Sequence, residues 1–236
     1  MRPTVYVVTK NTGKLVEIQD ILRPFGIEAK SIYDVADIGD VAETGETYLA
    51  NALLKARVGF EKTGLLSVGE DSGLEVDALG GLPGVHSARF GGPGLSQRER
   101  IELLLQKLQG VPRKQRTARF VCVVALVWPG GEKVFEGTCE GFIAEEPQGD
   151  RGFGYDPVFV FPPFEKTFAE LGPEVKNRVS HRAQAFRKLA QFLREEVFQI
   201  QTSQEPEKER NPEGNAEGVQ YPTHHPKGDE FPPADP

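Results

Sequence analysis

The chain has 236 residues, of which 38% are hydrophobic and 27% are charged, as in an ordinary globular protein. It contains no run of about 18 apolar residues, which excludes a helix that spans a bilayer. The N-terminus lacks the basic and apolar segments of a secretory signal, and two cysteines, Cys122 and Cys139, are too few for a disulfide scaffold. We therefore expect a cytoplasmic protein with no membrane partner.

The net charge of −7 is unevenly distributed. Residues 201–236 contain eight acidic and three basic side chains, which leaves 27 acidic and 25 basic side chains in the rest of the chain. A nearly neutral body lacks the basic stripe that binding of long nucleic acid requires. Residues 201–236 are rich in Pro, Glu, Gly and Asn and have few aliphatic residues, so we predict a domain at 1–200 and a disordered, acidic, Pro-rich tail at 201–236.

The first part of the chain alternates between strand and helix patterns. The β-branched run 5–9 predicts a strand, and the apolar residues at helical spacing between 15 and 25 predict the first helix. A second set of apolar residues, between 49 and 60, predicts another helix. The apolar run 65–68 predicts a short strand that ends at a polar turn, 69–73.

The second part contains a predicted hairpin between two helices. Apolar spacing over 101–108 predicts the third helix, and the pattern over 181–197 predicts the last one. The apolar segments 117–128 and 133–143 flank Pro129-Gly130-Gly131 and predict a long hairpin. The order of elements predicts an α/β fold with a mixed β-sheet and flanking helices.

A polar cluster lies where the first strand gives way to the first helix: Thr9, Lys10, Asn11, Thr12, Gly13 and Lys14. Free N–H groups and the positive end of the helix dipole make such a turn an anion site, and Lys14 adds a full charge. The turn is not a Walker A loop, because Val8 stands at the first glycine position and Leu15 follows the lysine. An ordinary polar turn explains the cluster equally well when it is taken alone.

A second cluster is acidic. Glu43 precedes the second predicted helix, and Glu70-Asp71-Ser72-Gly73 follows a predicted strand. Carboxylates at strand ends suit Mg²⁺, which commonly uses one or two of them together with substrate phosphates. An aspartate beside the metal can also orient or deprotonate water. The alternative is that Asp-Ser-Gly is only a turn.

Two further clusters are typical of a nucleotide site. In the first, glycines frame an aromatic residue so that the backbone can approach a ligand, and an exposed Phe153 could stack on a base for about 1–3 kcal/mol. It comprises Gly152, Phe153, Gly154, Tyr155, Asp156 and Pro157. The second brings basic residues to the start of the last helix, where Ser180 is a fair N-cap: Lys176, His181 and Arg182. A loop with a buried Phe and a surface-charged helix start are the alternatives.

Together these clusters resemble the inosine triphosphate pyrophosphatase family, also called dITP/XTP pyrophosphatases, over residues 4–196. The order and spacing of the segments carry the resemblance. They are Thr9 to Lys14, Glu43-Thr44-Gly45, Asn51-Ala52 with Lys55-Ala56, Glu70 to Leu74, Gly84 with Ser87-Ala88-Arg89, Gly152 to Pro157, Lys176, and Ser180-His181-Arg182.

The resemblance implies an elongated fold with two lobes around a nucleotide cleft, a homodimer, and hydrolysis of ITP, dITP and XTP to the monophosphate and pyrophosphate. It implies that residues 9–14 hold the triphosphate, that Asp71 is the catalytic carboxylate, and that Glu43 and Asp71 hold Mg²⁺. It also implies that the substrate contacts Ser72, Phe153, Gly154, Tyr155, Asp156, Lys176, His181 and Arg182.

The sequence departs from the family pattern at one position of the acidic site. The family often has Glu before the Asn-Ala pair, where this chain has Ala50, so we expect another carboxylate, such as Glu46, to replace it. Glu70 in place of the first Asp of Asp-Asp-Ser-Gly conserves the charge. A Maf-like pyrophosphatase for modified pyrimidine nucleotides and a non-catalytic nucleotide-binding module are the alternative functions.

Overall fold

The computed structural model describes residues 2–199. The predicted tail, 201–236, lies outside the described residues, and the division of the chain at 200 stays a prediction. The strands are β1 (Thr4–Val7), β2 (Glu28–Ser31), β3 (Ser67–Val76), β4 (Thr117–Trp128), β5 (Gly131–Ile143), β6 (Phe159–Phe161) and β7 (Lys166–Thr167). The helices are α1 (Thr12–Leu22), α2 (Tyr48–Thr63), α3 (Gln97–Lys107), α4 (Phe168–Leu171), α5 (Pro173–Val179) and α6 (His181–Phe192).

One seven-stranded sheet has the order β2-β1-β3-β4-β5-β6-β7. Strand β1 pairs in parallel with β2 and β3, and the remaining neighbours are antiparallel. The predicted hairpin is β4 and β5, which pair from Thr117↔Phe142 to Trp128↔Gly131. The mixed sheet with flanking helices confirms the predicted fold class.

Strand β3 is longer than the sequence pattern predicts. The predicted turn at 69–73 is wrong, because this segment continues the strand and pairs with β4 from Ser67↔Val127 to Val76↔Ala118. Position 69 is a glycine because helix α2 packs directly on the strand there. A Cβ at this position would lie 2.0 Å from the carbonyl oxygen of Ala52. The glycines that suggest a turn therefore serve close packing.

The other elements differ from prediction mainly at their ends. The last helix ends at Phe192 and continues as a π-helical turn, Leu193–Val197. Five short elements were not predicted: β2, β6, β7, α4 and α5. Each has seven residues or fewer, too few for a clear periodic pattern. Ser180 is the N-cap of α6, as predicted, and its side chain accepts a hydrogen bond from the Ala183 N–H.

The core consists mainly of two apolar clusters on the long sheet. In the first, α1 and α6 cover β1 and the middle of β4, with Ile18 and Phe186 fully buried. In the second, α3 and β6 pack on the other ends of β3 and β4, around Leu104 and Phe159. Such burial contributes about 25 cal/mol per Å² of apolar surface.

Cys122 and Cys139 are both buried and unpaired. Between residues 2 and 199, the helices are all too short or too polar to cross a membrane.

Candidate active site

Two adjoining cavities open beside β3. The larger, called here the aromatic cavity, has a volume of about 450 Å³. Its lining comprises Asn11, Thr12, Gly13, Lys14, Ser72, Gly73, Leu74, Ser87, Ala88, Gln97, Phe120, Phe153, Gly154, Tyr155, Asp156, Lys176, His181 and Arg182. The smaller, called the carboxylate cavity, has a volume of about 260 Å³. Its lining comprises Val8, Thr9, Lys10, Asn11, Lys14, Tyr33, Asp40, Val41, Glu43, Lys55, Glu70, Asp71, Ser72, Val85 and Ala88.

The residues to which the resemblance assigns a metal, catalytic or substrate role all line one cavity or the other. Of these two cavities, Thr9, Lys10, Glu43 and Asp71 line only the carboxylate cavity. Residues 153–156 and the start of α6 line the aromatic cavity and not the carboxylate cavity. The two cavities share Asn11, Lys14, Ser72 and Ala88. Segments far apart in the chain therefore converge on one composite site.

The turn between β1 and α1 reaches this site because β1 runs parallel to β3. The Val8 N–H bonds the Val68 carbonyl at 2.8 Å, which places the following polar residues beside the acidic part of β3. Asn11 is the N-cap of α1, and its side chain accepts the Lys14 N–H at 3.0 Å. Lys10 points to the edge of the site, where it pairs with the exposed Asp40.

Asp71 lies in the middle of β3 with only 3% of its surface exposed. Its Oδ2 accepts a hydrogen bond from Asn51 Nδ2 at 2.9 Å. Burial raises the pKa of Asp71, and the nearby Lys55 opposes that shift. A carboxylate that faces a cavity and holds a proton more readily than an ordinary aspartate is suited to accept one from water.

Glu43 faces the same cavity from the loop before α2. Its Oε1 lies 2.6 Å from Lys55 Nζ, and this cation holds the pKa of Glu43 below its ordinary value against the opposing effect of burial. Within the described chain, no three His, Cys, Asp or Glu residues form a metal cage. Glu43 and Asp71 are two hard oxygen donors, and such a pair fits an ion that takes its remaining ligands from water and phosphate.

A continuous network of buried ion pairs connects the two cavities. Charges of opposite sign alternate along it, in the order Lys14, Glu70, Arg182, Glu17, Lys176 and Asp156. Buried charges are tolerated only when they are paired in this way. The alternative of a surface-charged helix start is therefore excluded, because Lys176 and Arg182 are inside the protein.

Arg182 is the centre of this network. Nη1 donates to Glu17, while Nη2 donates to Glu70 Oε1 at 3.1 Å and to Ser72 Oγ at 3.0 Å. Its buried Nε has no hydrogen-bond partner. Burial works against the charge of Glu70, but Lys14 and Arg182 outweigh it and hold the Glu70 pKa well below its usual range.

Aromatic rings form the walls of the larger cavity. Phe153 is half-buried rather than exposed. The centre of its ring lies 4.6 Å from Lys176 Nζ. The ring also packs against Gly13, where a Cβ would lie 3.0 Å from it. His181 stacks on Phe120 with ring centroids 4.7 Å apart. Burial, with the neighbouring cations Arg182 and Lys176, lowers the His181 pKa well below 6.5, so this imidazole is neutral.

Several residues that build the site were given no role on the basis of the sequence. Glu17 is buried and pairs with both Lys176 and Arg182. The sequence did contain a signal for Glu17, because it lies on the face of α1 that also carries Ile18 and Ile21. A charged residue on a buried face needs a partner of opposite charge. Asn51 and Lys55 lie four residues apart on the face of α2 that packs on β3.

The expectation that Glu46 replaces the carboxylate missing at Ala50 is not supported. Both residues are exposed near the start of α2. Within the described chain, neither belongs to the lining of the two cavities. The carboxylates in the lining of the smaller cavity are Asp40 and Glu43, from the segment before α2, and Glu70 and Asp71, from β3.

Comparisons with known proteins agree with this architecture. A model described as the Ham1 family matches residues 5–192. The chain is 50% identical over 186 residues to a dITP/XTP pyrophosphatase of Geobacillus kaustophilus, which covers 78% of this chain and 91% of that protein. It is 44% identical over 188 residues to a dITP/XTP pyrophosphatase of Bacillus subtilis, which covers 79% of this chain and 95% of that protein.

Solved structures are similar as well. The HAM1 protein of Coxiella burnetii superposes with a TM-score of 0.74 at 39% identity, covering 82% of this chain and 99% of that chain. A nucleoside-triphosphatase, dITP/XTP pyrophosphatase, of Mycobacterium abscessus gives a TM-score of 0.64 at 45% identity, covering 79% of this chain and 97% of that chain. The family resemblance drawn from the polar segments is thereby confirmed: the chain belongs to the Ham1 family.

Proposed function

We propose that this enzyme hydrolyses the deaminated purine nucleotides ITP, dITP and XTP to the monophosphate and pyrophosphate, and so removes them from the nucleotide pool. The observation that carries the proposal is the shared boundary of the two cavities. One is lined by aromatic rings and has room for a base, and the other is lined by carboxylates and lysines. Asn11, Lys14 and Ser72 belong to both, where a sugar and its phosphates would cross.

Glu43 and Asp71 would hold Mg²⁺, since two hard oxygen donors with substrate phosphates are a common ligand set for this ion. When bound, the ion would neutralise phosphate charge and lower the pKa of a water. Asp71 would accept the proton of the attacking water, and Asn51 would keep its carboxylate in place through the 2.9 Å hydrogen bond. Residues 9–14, above all Lys14, would bind the phosphates.

Selection of a 6-oxo purine would rest on donors in the aromatic cavity. The unpartnered N–H at Nε of Arg182 and the neutral His181 are the groups available to meet O6. The amino group of adenine would oppose a donor there, and an unmade buried hydrogen bond costs about 1–3 kcal/mol. Phe153 would stack on the purine, with Gly154, Tyr155, Asp156 and Lys176 completing the wall.

The test is release of pyrophosphate with Mg²⁺ from ITP, XTP, dITP, GTP and ATP. We expect faster turnover of the deaminated substrates. Equal rates on all five would contradict the selectivity, and no release from any would favour the non-catalytic binding module. We also propose a homodimer in the cytoplasm, as the family resemblance implies; light scattering of the purified chain tests the dimer.

A further inference from the structure

Glu70 is a buried carboxylate with one partner on each side of the composite site. Its Oε2 lies 2.8 Å from Lys14 Nζ, and its Oε1 lies 3.1 Å from Arg182 Nη2. Behind it, Cys122 Sγ lies 3.5 Å from Oε1. The side chain is 2% exposed, so both oxygens are occupied by protein groups before any ligand arrives.

On one side, Glu70 fixes the orientation of Arg182. The guanidinium is planar, and its two Nη atoms are held by different carboxylates, Glu17 and Glu70. Hydrogen bonds from both Nη atoms fix the plane of the guanidinium and the direction in which its remaining N–H groups point. Without Glu70, Nη2 would keep only one hydrogen bond, to the neutral Ser72 hydroxyl at 3.0 Å.

On the other side, Glu70 competes with phosphate for Lys14. Lys14 lines both cavities, and its side chain is 19% exposed, so an anion can reach it. The charge of Lys14 is already partly neutralised by Glu70, and the Glu70 carboxylate itself repels an approaching anion. The same contact that stabilises the folded charge network therefore lowers the affinity of the site for phosphate.

We propose that Glu70 is a positioning residue with two opposite effects: it orients Arg182 for base selection, and through Lys14 it weakens the binding of free pyrophosphate. This inference rests on the proposed function, in which pyrophosphate is a product. A site that held pyrophosphate with every available charge would release it slowly. Glu70 thus increases selectivity while favouring product release.

The experiment measures binding without metal, by calorimetry, for Glu70→Gln and the unmodified protein. The ligands are IMP, AMP and pyrophosphate. We expect the ratio of IMP to AMP affinity to fall at least about tenfold in Glu70→Gln, the loss of one hydrogen bond to a charged group. We expect pyrophosphate to bind several-fold more tightly, because one negative charge has been removed from beside Lys14.

The opposite signs of the two effects distinguish this inference from a purely structural role, which would weaken all three ligands. Glu70→Asp keeps the charge on a shorter side chain, so its pyrophosphate affinity should stay near that of the unmodified protein while its base discrimination is partly lost. The matched control is Glu132→Gln, which removes the same charge from an exposed pair with Arg57, 2.7 Å apart, outside both cavities. It should change neither quantity.

Weaker pyrophosphate binding in Glu70→Gln, or an unchanged ratio of IMP to AMP affinity, would overturn the inference. If Glu70→Gln does not fold, Glu70→Asp decides, and unmodified base discrimination in that variant would overturn it. The proposed function is judged separately, on the unmodified protein. If that protein prefers IMP and releases pyrophosphate from ITP but the Glu70 variants behave like it, only the role of Glu70 is wrong.

Discussion

Asn51 connects Asp71 to the backbone of the loop that carries Glu43 through one side-chain amide. Its Nδ2 donates to Asp71 Oδ2 at 2.9 Å, and its Oδ1 accepts the Gly45 N–H at 2.8 Å. Asn51 is fully buried in α2, so the amide cannot move without moving the helix. The position of Asp71 relative to the loop that carries Glu43 is therefore set by a residue that lines neither cavity.

Asn51→Ala should reduce kcat/KM by about 10- to 100-fold, because partners that orient metal-binding and catalytic groups have effects of this size. Steady-state kinetics on ITP with Mg²⁺ measure the loss. Arg57→Ala, on the same helix but in an exposed pair with Glu132, is the matched control and should retain full activity. Equal activity of the two variants would show that Asp71 needs no support from α2.

Asp71→Asn should abolish turnover, with a loss of at least about 100- to 10,000-fold, because the amide cannot accept a proton from water. The substitution preserves shape, so the circular dichroism spectrum and the melting temperature should change little. Asp77→Asn, in the exposed turn that follows β3, provides the comparison. Near-normal activity of Asp71→Asn would exclude the catalytic role given to this residue.

Phe153→Ala should raise KM for ITP and ATP alike, by about 10- to 100-fold, which corresponds to the loss of one base–aromatic stack. Stacking does not discriminate between purines, so the ratio of the two kcat/KM values should stay nearly constant. Phe164→Ala removes a ring that is 52% exposed and outside the two cavities. It should leave both KM values unchanged, and a similar rise in this control would argue against stacking.

Glu17→Ala should lower the free energy of unfolding by about 3–5 kcal/mol, because it leaves Lys176 and Arg182 buried with one partner fewer. Glu132→Ala breaks an exposed pair and should cost less than about 1 kcal/mol. Urea unfolding at neutral pH gives both values. A small loss for Glu17→Ala would mean that water or rearrangement compensates the two cations.

His181 makes the stability depend on pH. Its pKa in the folded protein is far below 6.5, through burial and the cations Arg182 and Lys176, whereas the unfolded chain protonates it near 6.5. The unfolded state therefore binds more protons below that pH, and stability falls as the pH falls, by up to about 1.4 kcal/mol per pH unit.

The variant His181→Phe keeps a ring on Phe120 but cannot titrate. Its stability, measured by urea unfolding at about pH 7.5 and about pH 5.5, should decline less than that of the unmodified protein. An equal decline in both proteins would show that carboxylates whose pKa is lowered in the folded protein, such as Glu70, and not His181, account for the acid sensitivity.

The sequence was sufficient for the longer elements and for the family. Periodic apolar spacing located α1, α2, α3 and α6, and the hairpin of β4 and β5, because amphipathic elements must bury one face wherever they are placed. The polar segments were informative for a related reason: anion turns, acidic clusters and glycine-framed aromatics require particular residue types. Their order along the chain carried the family resemblance, which the comparisons confirm.

Only the tertiary structure decided which charges meet. Glu17 and Arg182 are separated by 165 positions, yet they form a buried pair, and no local pattern predicts such a contact. Gly69 and Gly73 were assigned to a turn because local sequence cannot show that α2 and the segment at Gly84 pack closely on β3. Local propensities determine where helices and strands form. Charge pairing and close backbone packing depend on which segments are buried against each other, so they are properties of the whole fold.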